Sequence, residues 1–126
     1  MRPKFTYVGI RVKDMDESIA FYTKMFEMEL QGKYKIDTTK GEVASLVSQK
    51  DGFPLELNYY SKGSPFYRKY TVGEGLDHLC FQVDDLDKTL AKAKEEGHRV
   101  LQEVKTKTSR WAYIEDPNGI WLEIVQ

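Results

Sequence analysis

Tyr7-Val-Gly-Ile-Arg-Val-Lys-Asp-Met-Asp-Glu-Ser-Ile-Ala20 and His78-Leu-Cys-Phe-Gln-Val-Asp-Asp-Leu-Asp-Lys-Thr-Leu-Ala91 are two copies of one pattern. Superposed, they put Val12 on Val83, Asp14 on Asp85, Asp16 on Asp87, Ile19 on Leu90 and Ala20 on Ala91. Polar and apolar positions therefore keep step through a strand-like run and then a helix-like run. A second match closes each copy, with Asp51-Gly-Phe-Pro-Leu-Glu-Leu57 lying on Asn118-Gly-Ile-Trp-Leu-Glu-Ile124. A shorter internal hairpin in the second half absorbs the difference in spacing. The duplication superimposes Tyr7 on His78 and Glu56 on Glu123, which turns four scattered polar residues into one fourfold constellation.

Working outward, residues 5–12 alternate. Thr6, Val8, Ile10 and Val12 are expected on one face, and Phe5, Tyr7, Gly9 and Arg11 on the other. Asp14 with Glu17 has capping-box spacing, and Met15, Ile19, Tyr22 and Phe26 follow as the apolar stripe of a helix laid on a sheet. Strands are expected over 28–35, 42–48 and 53–59, separated by the turn-rich 37–41 and by Lys50-Asp-Gly52. The second half replays this order. A strand over 76–83 precedes a helix capped by Asp85, with stripe Leu86, Leu90 and Ala93 and a stop at Gly97. Strands over 99–105 and 110–115, the turn Asp116-Pro-Asn-Gly119 and a strand over 120–125 complete it.

The expected class is thus α+β, two tandem βαβββ modules forming curved mixed sheets around a cleft. Residues 1–126 form a single domain, with module 1 about 3–60, module 2 about 75–126 and a linker over 61–74. That linker, rich in Gly, Ser, Phe66, Tyr67 and Tyr70, reads as a connector, or more sharply as a lid or dimer contact.

A chain of 126 residues suits one compact domain. Nineteen Lys and Arg against twenty Asp and Glu, interspersed to a net charge of −1, exclude a nucleic-acid or anionic-membrane footprint. The partner left is a small molecule. Cys80 is the only cysteine, which excludes an intrachain disulfide and Cys-rich zinc patterns and fits a reducing compartment. With no run long enough to span a bilayer and no signal-peptide core after the first residues, the expected location is the cytoplasm.

Alternation also decides which side each candidate takes. If Val8, Ile10 and Val12 face the helix, Tyr7 and Arg11 face away, and by the repeat His78 and Gln82 do the same. Leu55 and Leu57 around Glu56, and Leu122 and Ile124 around Glu123, place both carboxylates on that uncovered face. Singly, each has a plainer reading, as a solvated strand Glu, a surface His or a packed Tyr. Together, one imidazole and two carboxylates are a competent set for a divalent ion, whose task is to act as a Lewis acid on a carbonyl oxygen while a carboxylate serves as base. A phenol ligates well only after losing its proton, so Tyr7 is expected to contact substrate instead. Cys80 shares the face of His78 but has no base beside it in sequence, and a packing role is expected.

These stretches, with Asp116-Pro-Asn-Gly-Ile-Trp-Leu-Glu-Ile124, resemble the vicinal oxygen chelate superfamily (glyoxalase, bleomycin-resistance and extradiol-dioxygenase proteins) over essentially the whole chain, and glyoxalase I (lactoylglutathione lyase) most of all. The resemblance puts the metal at Glu56, His78 and Glu123, with Tyr7 at the corner the family usually gives to His. The ion implied is divalent: zinc, nickel, manganese, iron or cobalt. It makes Glu123 and Glu56 catalytic, Glu123 moving the substrate proton, and sets Arg11, Tyr7 and Tyr60 at the substrate. Tyr60 occupies a position where the family carries Asn, while Asn58 lies two residues earlier. The activity implied is a lyase/isomerase that converts an α-ketoaldehyde–thiol hemithioacetal to a 2-hydroxyacyl thioester by proton abstraction and enediolate stabilisation. The assembly implied is a homodimer with sites shared between chains. The alternative is a metal-free protein that sequesters an aromatic or cationic small molecule, as bleomycin-resistance proteins do. An acyl-thioester epimerase would use the same parts, whereas a ring-cleaving dioxygenase needs two His and one carboxylate, which the repeat positions do not supply.

Overall fold

The computed structural model describes residues 7–48, 52–74, 76 and 78–126. Phe5 and Thr6 of the first expected strand, and Lys50 and Asp51 of the second expected turn, lie outside the described residues. Contacts divide the chain into two units, Met1–Tyr70 and Thr71–Gln126.

In the first unit β1 (Val8–Arg11) leads to α1 (Met15–Phe26), then to β2 (Glu29–Ile36), β3 (Gly41–Val47) and β4 (Pro54–Tyr60). The strand order is β1-β4-β3-β2, with β1 parallel to β4 and the other pairs antiparallel, a mixed sheet. Asp14 caps α1 by accepting the Glu17 backbone N–H at 2.9 Å. The face α1 buries is broader than the expected stripe and rotated from it. Met15, Ser18, Phe21, Tyr22 and Met25 are buried, while Ile19 and Phe26 sit at its edge. The rotation follows the rings: Phe21 meets Tyr22 edge-on at 5.0 Å and Phe26 at 6.0 Å, so Phe21 takes the sheet side. Below it lie Ile10, Ala44, Leu46, Leu55 and Leu57, each large aliphatic side chain contributing about 1.5–3 kcal/mol by leaving water.

The second unit repeats the plan as β5 (His78–Gln82), α2 (Leu86–Glu95), β6 (Val100–Lys105), β7 (Arg110–Glu115) and β8 (Trp121–Val125), ordered β5-β8-β7-β6 with β5 parallel to β8. Asp85 caps α2 through the Lys88 N–H, and Leu86, Leu90 and Ala93 are its buried stripe, as expected. Gly97 ends it at φ 82°, letting the His98 N–H reach the Ala93 carbonyl (2.8 Å) and its own N–H that of Lys94 (3.1 Å). The turn between β7 and β8 is held by Asp116, whose Oδ1 accepts the N–H groups of Asn118 and Ile120, each at 2.8 Å.

Residues 61–70, read from sequence as part of a connector, pack with the first unit. Ser61 donates from N and Oγ to the Lys40 carbonyl, Ser64 is buried and its Oγ accepts the Phe66 N–H, and Arg11 Nη1 donates to the Phe66 carbonyl at 2.9 Å.

Candidate functional site

Each sheet has one face under its helix and one face left open, and the register decides what the open faces carry. On β5 and β8, Leu79 pairs with Leu122 and Phe81 with Ile124, while His78 pairs with Trp121 and Cys80 with Glu123. His78 Nε2 stands 3.4 Å from Glu123 Oε2, with about a third of the imidazole and a quarter of the carboxylate side chain exposed. Tyr113 on β7 is the register partner of Glu123. Its ring meets His78 edge-on at 5.6 Å and Trp121 at 6.3 Å, forming a wall that fixes the imidazole while leaving half of Trp121 exposed.

Cys80 corrects the expected packing role. It is exposed and free of disulfide, and its thiol lies against Glu123. Partial burial first, then the Glu123 charge and a hydrogen bond to that carboxylate, push the thiol above its ordinary pKa.

In the first unit the corresponding corner holds Tyr7 and Glu56. Gly9 is the register partner of Glu56. The Tyr7 ring edge lies 4.0 Å, and the Asn58 amide nitrogen 3.2 Å, from where a Cβ on Gly9 would stand. Farther along the same strands Arg11 lies over the Tyr60 ring, 4.5 Å from its centroid.

The structure thus brings His78 to Glu123 in one unit and Arg11 to Tyr60 in the other, where Tyr7 lies by Gly9, the register partner of Glu56. Among the described residues no group of three His, Cys, Asp or Glu side chains stands together as a metal cluster. The His78–Glu123 pair nevertheless fits a shared ion. Ligand atoms each about 2.1 Å from a tetrahedral ion lie about 3.4 Å apart, the separation found here. Tyr113 and Trp121 were missed from sequence, although Ala112 and Ile114 facing the helix already implied that Trp111, Tyr113 and Glu115 face the open side. No helix of the described residues is long and apolar enough to cross a membrane.

Comparison with known proteins agrees with this architecture. Lactoylglutathione lyase GLX1 of Arabidopsis thaliana is 33% identical over 98% of this chain, which spans 44% of that protein's length, less than half. A protein of Vibrio cholerae named "Probable lactoylglutathione lyase" is 34% identical over 98% of this chain and 90% of its own. Among solved structures, the trypanothione-dependent glyoxalase I of Leishmania major superposes with a TM-score of 0.79 at 22% identity, covering 99% of this chain and 87% of that one. The V278E glyoxalase I mutant of Zea mays gives 0.79 at 28% identity, over 96% of this chain and 43% of that one. The family model for the Glyoxalase/Bleomycin resistance protein/Dioxygenase superfamily matches residues 4–124. On that match the chain belongs to the Glyoxalase/Bleomycin resistance protein/Dioxygenase superfamily.

Proposed function

We propose that residues 1–126 form one glyoxalase-like domain that works in the cytoplasm as a lactoylglutathione lyase-type lyase, isomerising the hemithioacetal of an α-ketoaldehyde and a thiol to a 2-hydroxyacyl thioester. The observation that carries this reading is the His78–Glu123 pair, set on the open face at a separation that suits one shared divalent ion. His78, Glu123 and Glu56 would hold that ion, which when bound supplies Lewis-acid polarisation of the substrate carbonyl. Glu123, partly exposed and adjacent to His78, removes the proton on the carbon beside the carbonyl and returns it to the neighbouring carbon, so that one carboxylate serves as base and then as acid. Glu56 is the second carboxylate of the set, Tyr7 flanks it, and Arg11 stacked on Tyr60 holds the thiol cosubstrate. Tyr113 keeps the His78 ring in place.

Relatives named lactoylglutathione lyase at 33% and 34% identity support the reaction class. A metal-free sequestering role for a cationic guest fits less well, because Arg11, Lys13 and Arg68 line the cavity of the first unit and would repel it. The deciding experiment measures methylglyoxal–thiol turnover and bound metal together. Glu123→Gln is expected to lower turnover by at least ~100-fold, and His78→Ala to strip stoichiometric metal. Unchanged turnover and metal content in Glu123→Gln would sink the proposal.

A further inference from the structure

Cys80 is exposed on the open face of the second sheet and is the only cysteine of the chain. It lies two residues from His78 on the same side of β5, about 7 Å along the strand, and it is the register partner of Glu123 on β8. Its thiol hydrogen-bonds the Glu123 carboxylate, and that carboxylate stands 3.4 Å from His78 Nε2. The long side chains of His78 and Glu123 thus close the offset along the strands. Nitrogen, oxygen and sulfur meet around one carboxylate.

We infer that Cys80 is a further ligand of the divalent ion and gives the site a preference for a thiophilic metal such as zinc. An S–H···O contact holds a proton between two donors that each bind metal once deprotonated, and a cation can take that proton's place. A tetrahedral ion bonded at about 2.3 Å to sulfur and about 2.1 Å to oxygen holds the two atoms about 3.6 Å apart, much the same reach as the hydrogen bond it replaces. Among the described residues the three donors do not stand as a ready cluster. The sulfur moves by χ1 alone, so its joining takes one torsion and one proton, which passes to the buffer as the metal–sulfur bond forms. Thiolate suits zinc, whereas a site of carboxylates and water suits manganese or magnesium. Sulfur also frees the base: Glu123 can turn to the substrate proton while Cys80 and His78 keep hold of the ion. The inference rests on the lyase-type reading of this site and deepens it by choosing among the metals that reading allows.

The test is a cobalt(II) titration of the intact protein, stripped beforehand with a chelator and followed by near-ultraviolet and visible absorption. The unsubstituted protein is expected to show a sulfur-to-cobalt charge-transfer band beside the d–d bands, and a single cysteine leaves that band one source. Cys80→Ser is expected to keep the d–d bands, which report a folded and filled site, and to lose the charge-transfer band. His78→Ala is expected to lose both. In competition against a chelator, Cys80→Ser is expected to weaken zinc by about tenfold or more and manganese by less than about threefold. Cobalt bound without the charge-transfer band, a band that survives Cys80→Ser, or equal weakening of zinc and manganese would each overturn the inference while leaving the Glu123→Gln result standing. A protein that takes up no cobalt, zinc or manganese would overturn the inference and the metal-dependent reading together.

Discussion

An imidazole and a phenol meet a divalent ion on different terms. The neutral imidazole already has a lone pair in place at pH 7, whereas a phenol must first lose a proton of pKa about 10. His78 and Tyr7 occupy matching corners of the duplicated pattern, so the chain offers one ready donor where its symmetry would allow two. Tyr7→His is therefore expected to tighten divalent-metal binding by roughly tenfold or more, read by competition against a chelator. Unchanged affinity would mean that this corner does not face the ion. Gly41 carries a different constraint. A Cβ there would stand 2.7 Å from the Tyr59 carbonyl oxygen and 3.1 Å from Tyr60 Cδ1, so the backbone itself would have to move. Gly41→Ala is expected to cost about 1–3 kcal/mol in a denaturant titration, and to shift the Tyr60 ring on which Arg11 rests. Sequence showed Gly41 only as the end of a turn, because a close approach between backbones leaves no mark in hydrophobic periodicity.

The two helices are pinned to their sheets by the acid that follows each cap, and the pinning differs between the copies. Asp16 pairs with Lys33 of β2 at 2.8 Å, whereas its counterpart Asp87 pairs with Arg110 of β7. Both pairs are solvated and contribute little to stability, but they titrate. The hydrogen bond from Arg110, followed by its charge, outweighs the opposing desolvation and holds the Asp87 carboxyl below its usual value. A depressed carboxylate contributes stability above its unfolded pKa of about 3.9 and loses it as pH falls through the lower folded value. Arg110→Ala is expected to return the Asp87 carboxyl-carbon titration to about 3.9 and to remove its share of the acid-side slope. A titration unmoved by the substitution would show that the pair is absent in solution. At this scale much was legible in advance. Both caps, the α2 stripe and the succession of elements along the chain followed from spacing alone, whereas the order of strands within each sheet did not. The face of α1 was not, because Met15, Ile19, Tyr22 and Phe26 and the observed Met15, Ser18, Tyr22 and Met25 are nearly equal readings of a helix, and only the packing of Phe21 against its neighbouring rings selects between them. Nor was the folding back of residues 61–70, which rests on Ser61, Ser64 and one Arg11 contact rather than on any period.

Over the whole molecule, duplication divides the expected site into halves: Tyr7 and Glu56 belong to Met1–Tyr70, and His78 and Glu123 to Thr71–Gln126. The sequence repeat revealed that division, but a repeat does not say whether the halves that work together belong to one chain or to two. Two inactive variants can separate these cases. In Glu56→Gln the first half is disabled, and in Glu123→Gln the second. If a homodimer builds each site from the first half of one chain and the second half of its partner, a mixed dimer contains one site with both substitutions and one site with neither. Random exchange of equal amounts makes half the dimers mixed, so turnover is expected to recover to about a quarter of the unsubstituted protein's, after unfolding and refolding the variants together. Sites built within single chains would recover nothing, because every chain carries one damaged half. The same mixture read for metal should regain about a quarter of the stoichiometric ion, so that metal and turnover returning in step would tie the shared site to the chemistry proposed for it.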